Sequence, residues 1–217
     1  MISNSTVHRY TYYEHVQQFH YEHVQQFHGE PQDKGFYVTF KLYYANGNLC
    51  YEGEWQDGEF HGQGKRYDEN GQLMYEGEHQ NGKRHGQGKE YHAKGQLRYE
   101  GEWKENKLHG QGKGYNENGQ LIYEGEWQNG KFHGQGMYYY KNGELCYDGQ
   151  WLNGNCHGQG KLYYEKGKLR YEGEWLNGKR HGQGKEYDEN GQLEYEGEFE
   201  NGKRKKASSI WKRIFGK

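Results

Sequence analysis

Seven tyrosines, Tyr51, Tyr75, Tyr99, Tyr123, Tyr147, Tyr171 and Tyr195, recur at a constant interval of 24 residues, and each opens a variant of Tyr-Glu-Gly-Glu-Trp. A period held that strictly is the mark of a repeat array, in which each unit buries its apolar side only against the next copy. Four residues after each tyrosine stands Trp55, Trp103, Trp127, Trp151 or Trp175, with His79 and Phe199 as variants. His-Gly-Gln-Gly follows at His61, His85, His109, His133, His157 and His181, and a second tyrosine column runs through Tyr43, Tyr67, Tyr91, Tyr115, Tyr139, Tyr163 and Tyr187.

Turn signals form two series, Asn46-Gly47, Asn70-Gly71 and Asn118-Gly119 in one, Asp57-Gly58, Asn81-Gly82 and Asn129-Gly130 in the other. Their spacing alternates between 11 and 13 residues, so each unit holds two turns and two short strands, an antiparallel meander. Alternation agrees: Leu49, Tyr51, Gly53 and Trp55 fall on one side of a strand, and Cys50, Glu52, Glu54 and Gln56 on the other. About fourteen strands at ~4.8 Å spacing predict a twisted ribbon roughly 65 Å long, a rod and not a globule. One unit alone buries too little aromatic surface to offset the entropy of ordering it. Tyr51, Gly53, Trp55, Gly62, Gly64 and Tyr67, with their copies, form the expected structural core, the glycines letting backbones approach where a side chain would block the aromatics. Two registers remain open: Glu52 opposite Lys65 gives rungs of ion pairs, and Leu49 opposite Tyr67 gives an apolar seam.

The run Tyr51-Glu52-Gly53-Glu54-Trp55, then Gly58, His61-Gly62-Gln63-Gly64 and Asn70-Gly71, resembles the MORN (membrane occupation and recognition nexus) repeat, in phase from about residue 36 to residue 202. The period departs from the family's usual 23 by one residue in the Gly-Gln-Leu-Xaa-Tyr stretch, and Asn106 replaces one turn glycine. The resemblance implies an all-β, elongated and twisted antiparallel meander or solenoid of hairpin repeats. It also implies a scaffold, a dimerising rod or a targeting module, in a family linked to membranes.

Only 30% of the 217 residues are apolar and 28% are charged, a balance close to that of disordered chains, but 23 tyrosines and 6 tryptophans supply burial. No apolar run approaches the ~18 residues of a membrane span, and Met1 to Tyr10 lack the apolar core of a secretory signal. Cys50 and Cys146 occupy equivalent positions four units apart, so at ~9.6 Å per unit they lie far beyond the ~7 Å reach of a disulfide. Reduced thiols and a cytoplasmic setting are expected, with pairing of Cys156 between chains as the alternative.

Two flanks escape the repeat. In residues 1–35, Tyr13 to His20 is duplicated at once as Tyr21 to His28; Val16, Phe19, Val24 and Phe27 fit one face of a short capping helix, or the stretch is a slippage duplication with no defined fold. Residues 203–217 carry seven basic and no acidic side chains, which leaves −9 on the rest of a chain whose net charge is −2. Behind Lys203, Arg204, Lys205 and Lys206, the residues Ile210, Trp211, Ile214 and Phe215 form one apolar helical stripe beside Lys212 and Arg213, suited to an anionic membrane surface. The alternative is a tail that folds back over the last strand.

Geometry argues against most chemistry. Equivalent histidines in successive units stand ~9.6 Å apart, too far to share a zinc ion, and the N-terminal His8, His15, His20, His23 and His28 have no cysteine or paired carboxylate to complete a site. The Glu52/Glu54 pair recurs along the whole array, whereas acid–base catalysis needs one desolvated environment that separates two pKa values. No cofactor is expected, and the acidic bulk disfavours nucleic acid. The expected role is a non-enzymatic scaffold or tether that binds protein partners, with anionic lipid as a second ligand. The alternatives are a self-assembling homodimer or lattice, and a targeting subunit for a separate enzyme.

Overall fold

The computed structural model describes residues 7–14, 17–24 and 38–206. They are all strand, turn and loop, with no helix among them. Two compact units divide the chain, residues 1–120 and 121–217. The first holds β1 (Val7–Glu14), β2 (Gln17–Val24), β3 (Val38–Tyr43), β4 (Leu49–Gln56), β5 (Glu59–Tyr67), β6 (Leu73–Gln80), β7 (Lys83–Tyr91), β8 (Leu97–Lys104) and β9 (Lys107–Tyr115). The second holds β10 (Leu121–Gln128), β11 (Lys131–Tyr139), β12 (Leu145–Leu152), β13 (Asn155–Tyr163), β14 (Leu169–Leu176), β15 (Lys179–Tyr187), β16 (Leu193–Glu200) and β17 (Lys203–Arg204). Within each unit every strand pairs antiparallel with its successor, the meander expected from the alternating turns.

The tight turns explain the Asn-Gly signals. Asp57 and Gly58 take φ of 52° and 85°, and Asn81-Gly82 and Asn129-Gly130 repeat this pair of left-handed residues, as a type I′ hairpin requires. Asn106, at φ 65°, fills the glycine position in its turn, because asparagine tolerates that region. Five tips are also tied to the preceding repeat: the Gly82 N–H donates to the Phe60 carbonyl at 3.0 Å, Asn106 to Arg84 at 3.1 Å, and Gly154, Gly178 and Gly202 reach Phe132, Cys156 and Arg180 at 2.9 Å. The wider loops close with the Gly71 N–H donating to the Asp68 carbonyl, while the Asp68 carboxylate accepts from the Asn70 and Gln72 amides.

The register is the one that sets Glu52 opposite Lys65, with Gly53 opposite Gly64 and Tyr51 opposite Arg66. On the other side of β5, Arg66 faces Tyr75 and Tyr67 faces Leu73, so Met74 is left out of the pairing as a bulge. That bulge is where the additional residue of the 24-residue period is absorbed. The core lies on the Tyr-Gly-Trp face. Tyr51, Tyr75, Tyr99, Tyr123, Tyr147 and Tyr171 are at most 2% exposed. Trp103, Trp151 and Trp175 each stand edge-on between two of them; Trp175 meets Tyr147 at 5.3 Å and Tyr171 at 5.2 Å, and its indole N–H donates to the Gly160 carbonyl at 3.2 Å. Tyr67 and its column differ from this core: they are half-buried, and Tyr91, Tyr115 and Tyr187 donate their hydroxyls to Glu76, Glu100 and Glu172.

One expectation is corrected. The tandem duplication forms no helical cap; β1 and β2 make a hairpin whose backbone register sets Tyr10 opposite Tyr21 and Tyr12 opposite Phe19, and β2 continues onto β3. Tyrosine, phenylalanine, threonine and valine favour strands, and pairing onto an existing sheet supplies a ladder of bonds that a helix of two turns lacks. Residues 15, 16 and 25–37, which include Val16 and Phe27, lie outside the described residues. The expected amphipathic tail helix, with Ile210, Trp211, Lys212, Arg213, Ile214 and Phe215, lies outside them as well. Among the described residues no helix is long and apolar enough to cross a membrane.

Candidate binding surface

The Tyr-Glu-Gly-Glu and His-Gly-Gln-Gly motifs meet in one clamp per repeat. The Tyr51 ring lies across the Gly53–Gly64 pair, where a Cβ built on Gly64 would stand 2.3 Å from the Tyr51 Oη and one on Gly53 only 2.4 Å from the Gly64 Cα. The hydroxyl then donates to the Glu54 carbonyl at 2.9 Å, and Tyr75, Tyr99, Tyr123 and Tyr171 make the same bond three residues ahead. Two glycines and a tyrosine are therefore one packing unit. Gly62 serves differently: at φ 55° it turns a wide bulge in the return strand, and its open side is filled by the Glu54 carboxylate.

That carboxylate accepts the Gln63 N–H at 3.2 Å, and Glu78, Glu102, Glu126 and Glu174 hold the equivalent amides. In one repeat Gln150 takes the place of the glutamate and accepts the Gln159 N–H at 2.9 Å, so the position needs an acceptor and not a charge. Glu102→Gln should leave stability within a few tenths of a kcal/mol in urea denaturation, whereas Glu102→Ala should cost about 1–2 kcal/mol. Glu52 has another task, forming an ion pair with Lys41 at 3.1 Å on the opposite face of the sheet from Tyr51. The two carboxylates of the recurring pair are thus committed to separate structural roles.

The charged face is a ladder. In the first unit Lys41, Glu52, Lys65, Glu76, Lys89, Glu100 and Lys113 face one another in sequence across β3 to β9. In the second, Asp148, Lys161, Glu172, Lys185 and Glu196 alternate across β12 to β16, but Met137 takes a lysine's place between Glu124 and Asp148. Leu152 and Leu176, 37% and 40% exposed, add apolar surface to this unit where the first carries Gln56, Gln80 and Lys104. Over the second unit's glycine pairs the face sinks into a groove of about 520 Å³. Gly149, Gly160, Gly173 and Gly184 form its floor, Gln135, Gln159 and Gln183 one wall, and the ladder charges from Asp148 to Glu196 the other. It offers amide donors and acceptors, charges of alternating sign and close access to backbone. Surface ion pairs of this kind add little stability.

His79 stands in the tryptophan column, 3% exposed among Tyr51, Phe60 and Tyr75. Neither of its ring nitrogens makes a hydrogen bond of normal geometry, whereas Trp103 and Trp151 in the same column donate to Gly88 and Gly136. Burial, and then the positive charge of Arg66, push its pKa down to about 4, against a smaller favourable contribution from the Gly77 backbone. Among the described residues no group of three or more histidine, cysteine or acidic side chains is close enough to hold a metal ion. Cys50, Cys146 and Cys156 are free and half-buried, and burial pushes the Cys156 thiol up to about 12.

Part of the predicted basic cluster is occupied. Arg204 lies in β17 and pairs with Glu186 at 2.7 Å and Glu194 at 2.6 Å, while Lys205 pairs with Glu198 at 2.8 Å. Burial alone would raise the Glu186 carboxyl, but hydrogen bonds from Arg204 and Arg180 outweigh it and hold the group below the usual carboxylate range. The Lys205 amide also donates to the Glu198 carbonyl, and its own carbonyl accepts from the Tyr195 hydroxyl. The last hairpin therefore runs through Lys205, beyond the expected array boundary at residue 202; Lys203 and Lys206 are exposed.

Sequence reading identified the clamp residues but not the groove, which appears only when glycines from four strands align. The one advance signal of His79's isolation was its departure from tryptophan in an otherwise aromatic column. A family model described as the MORN repeat matches residues 51–73, 75–97, 99–119, 123–144, 147–168, 171–193 and 195–205. A variant MORN repeat model matches residues 37–57. Comparison with curated proteins gave no match.

Proposed function

This chain belongs to the MORN repeat family, and from that premise we propose that it is a non-enzymatic scaffold that binds a partner protein along the groove of its second unit. The observation that carries the reading is the groove itself, a glycine-floored track with charges of alternating sign along one wall. The residues that suggested acid–base chemistry support it indirectly, since a native glutamine does the work of the glutamate in one repeat. Removing the alternation of sign along the track is the direct test. Lys161→Glu with Lys185→Glu should abolish co-purification of partners bound by the unaltered chain while leaving the strand signature in circular dichroism intact. Unchanged partner recovery would refute the groove as the binding site.

The tail is the second element of the proposal: residues 207–217, with Lys212, Arg213 and Lys217 beside Trp211 and Phe215, hold the scaffold at the anionic cytoplasmic face of a membrane. Because Arg204 and Lys205 close the last hairpin, a clean truncation begins at residue 207. The full chain should float with phosphatidylserine-containing vesicles and not with neutral ones, and the truncated chain with neither. Equal binding to both vesicle types, or binding that survives truncation, removes this element and leaves the groove reading standing. A ladder of alternating sign is also complementary to itself when shifted by one strand, which favours self-assembly as the second reading. That reading predicts a mass that rises with concentration in light scattering and does so equally after truncation.

A further inference from the structure

The groove of the second unit is periodic, and the strands that build it set the period. Asp148, Lys161, Glu172, Lys185 and Glu196 stand on consecutive strands, β12 to β16, each facing the next. At ~4.8 Å per strand, charges of one sign recur every ~9.6 Å. On the opposite wall Gln135, Gln159 and Gln183 come from β11, β13 and β15, so they recur at the same ~9.6 Å. From Gln135 on β11 to Glu196 on β16 the groove runs across the strands for roughly 24 Å.

A peptide lying along the groove meets these charges with a period of its own. An α-helix returns every ~5.4 Å, so two turns overshoot two strands by ~1.2 Å, and the mismatch doubles over the next two. An extended strand returns to the same face every ~6.6 Å, which matches neither one strand spacing nor two. A polyproline II chain turns once in three residues of ~3.1 Å each, a repeat of ~9.3 Å, within ~0.3 Å of the groove's own. Of the three, that chain alone stays in phase with the wall from end to end. It has no internal hydrogen bonds, so its carbonyls need donors, and the exposed glutamine side chains supply one per turn. Those glutamines are held in place through their backbone: the Gln159 N–H donates to Gln150 at 2.9 Å and the Gln183 N–H to Glu174 at 2.8 Å. The glycine floor presents no Cβ to collide with a pyrrolidine ring.

Resting on the groove as the binding surface, we propose that its occupant is a polyproline II segment of the partner protein, with one basic residue, one acidic residue and one proline in every three. Its basic side chains lie against Asp148, Glu172 and Glu196, and its acidic ones against Lys161 and Lys185. Because the wall alternates, a segment of one sign would lose at each rung what it gained at the last. Proline in the third place keeps the residue before it out of the helical region and lowers the entropy lost on binding. The groove's length accommodates about eight residues in this conformation. Little is given up in exchange: the Lys185–Glu196 pair, 3.5 Å apart, is an exposed contact that contributes little by itself.

The probe is a fluorescent peptide of four Arg-Glu-Pro triplets, which should bind the full chain saturably below ~1 mM. Shuffling the same residues keeps charge and composition but removes the period, and should weaken binding about five-fold or more. Alanine for every proline should do the same. On the chain, Lys161→Glu with Lys185→Glu should weaken probe binding about five-fold or more. Gln135→Ala, Gln159→Ala and Gln183→Ala together should have an effect of about that size, since these exposed side chains can be removed without touching the backbone bonds. No binding up to ~1 mM, or equal binding of the shuffled peptide, overturns the proposal. Tighter binding of the alanine peptide, a better helix former, also overturns it by assigning the groove to a helix. The two failures are distinguishable: partner recovery abolished by the lysine changes, with a probe that does not bind, leaves the groove reading standing and removes this occupant alone. A probe that binds both chains equally lies outside the groove and overturns the proposal.

Discussion

Tyr147→Ala is expected to destabilise the second unit by about 3–5 kcal/mol in urea denaturation, the range for removing a large buried aromatic side chain. The ring is 2% exposed, edge-on to Trp151 at 5.0 Å and to Trp175 at 5.3 Å, so its loss opens a cavity shared by two repeats. Tyr147→Phe isolates the hydroxyl, which donates to the Gln150 carbonyl at 3.1 Å, and should cost only about 1 kcal/mol. Gly160→Ala approaches the same clamp from the other side, since its Cβ would lie 2.2 Å from the Tyr147 Oη; a cost of about 1–3 kcal/mol is expected for such overpacking. If Tyr147→Ala and Tyr147→Phe were equally mild, the ring would not be the element that joins neighbouring repeats.

The second large effect depends on pH. His79 is buried and uncharged, with a pKa pushed down from 6.5 to about 4, mainly by burial and next by Arg66. Because the folded pKa lies below the unfolded one, between pH 6.5 and about 4 the unfolded chain binds a proton that the folded chain does not. Stability therefore falls as pH is lowered through that window, by about 3 kcal/mol from this residue. His79→Trp should remove that part of the pH dependence and raise stability at every pH. The environment suits the larger ring: Trp151 occupies the same position between Tyr123, Phe132 and Tyr147, and its indole N–H bonds to Gly136. Carboxylates also titrate below pH 5, so the informative quantity is the difference between the two proteins at pH 4.5 and pH 7. Parallel stability–pH curves would show that His79 is not the acid-sensitive group.

The meander was legible because turn chemistry is local. A type I′ turn needs two left-handed residues, and Asn-Gly or Asp-Gly announces it at every tip but Glu105-Asn106. Both candidate registers were visible in the residues of β4 and β5, yet only the structure distinguishes them. Glu54 is left out of the pairing between β4 and β5, opposite three return-strand residues, and such an irregularity has no composition signature. The helix expected near the N terminus failed for a related reason: an eight-residue copy is compatible with either a helical or an alternating period, and proximity to β3 selects the strand. The basic cluster was read as one block of charge. In three dimensions Arg204 meets Glu186 and Glu194 from the preceding repeat and Lys205 meets Glu198 of its own hairpin, pairings invisible without the fold. The groove lay still further from sequence reading, since it depends on what four glycines omit.

The bond from a hairpin tip to the carbonyl 22 residues before it, made by Gly82, Asn106, Gly154, Gly178 and Gly202, sets a rule for how such a gene changes length. Amplification or loss of whole units leaves every such bond with a partner of the same kind, because donor and acceptor recur with the unit itself. An insertion or deletion of any other size within a hairpin displaces a tip from its acceptor and a glycine from its tyrosine. Repeat number is thus open to evolutionary drift, while the length of each copy is held under selection by the folded state.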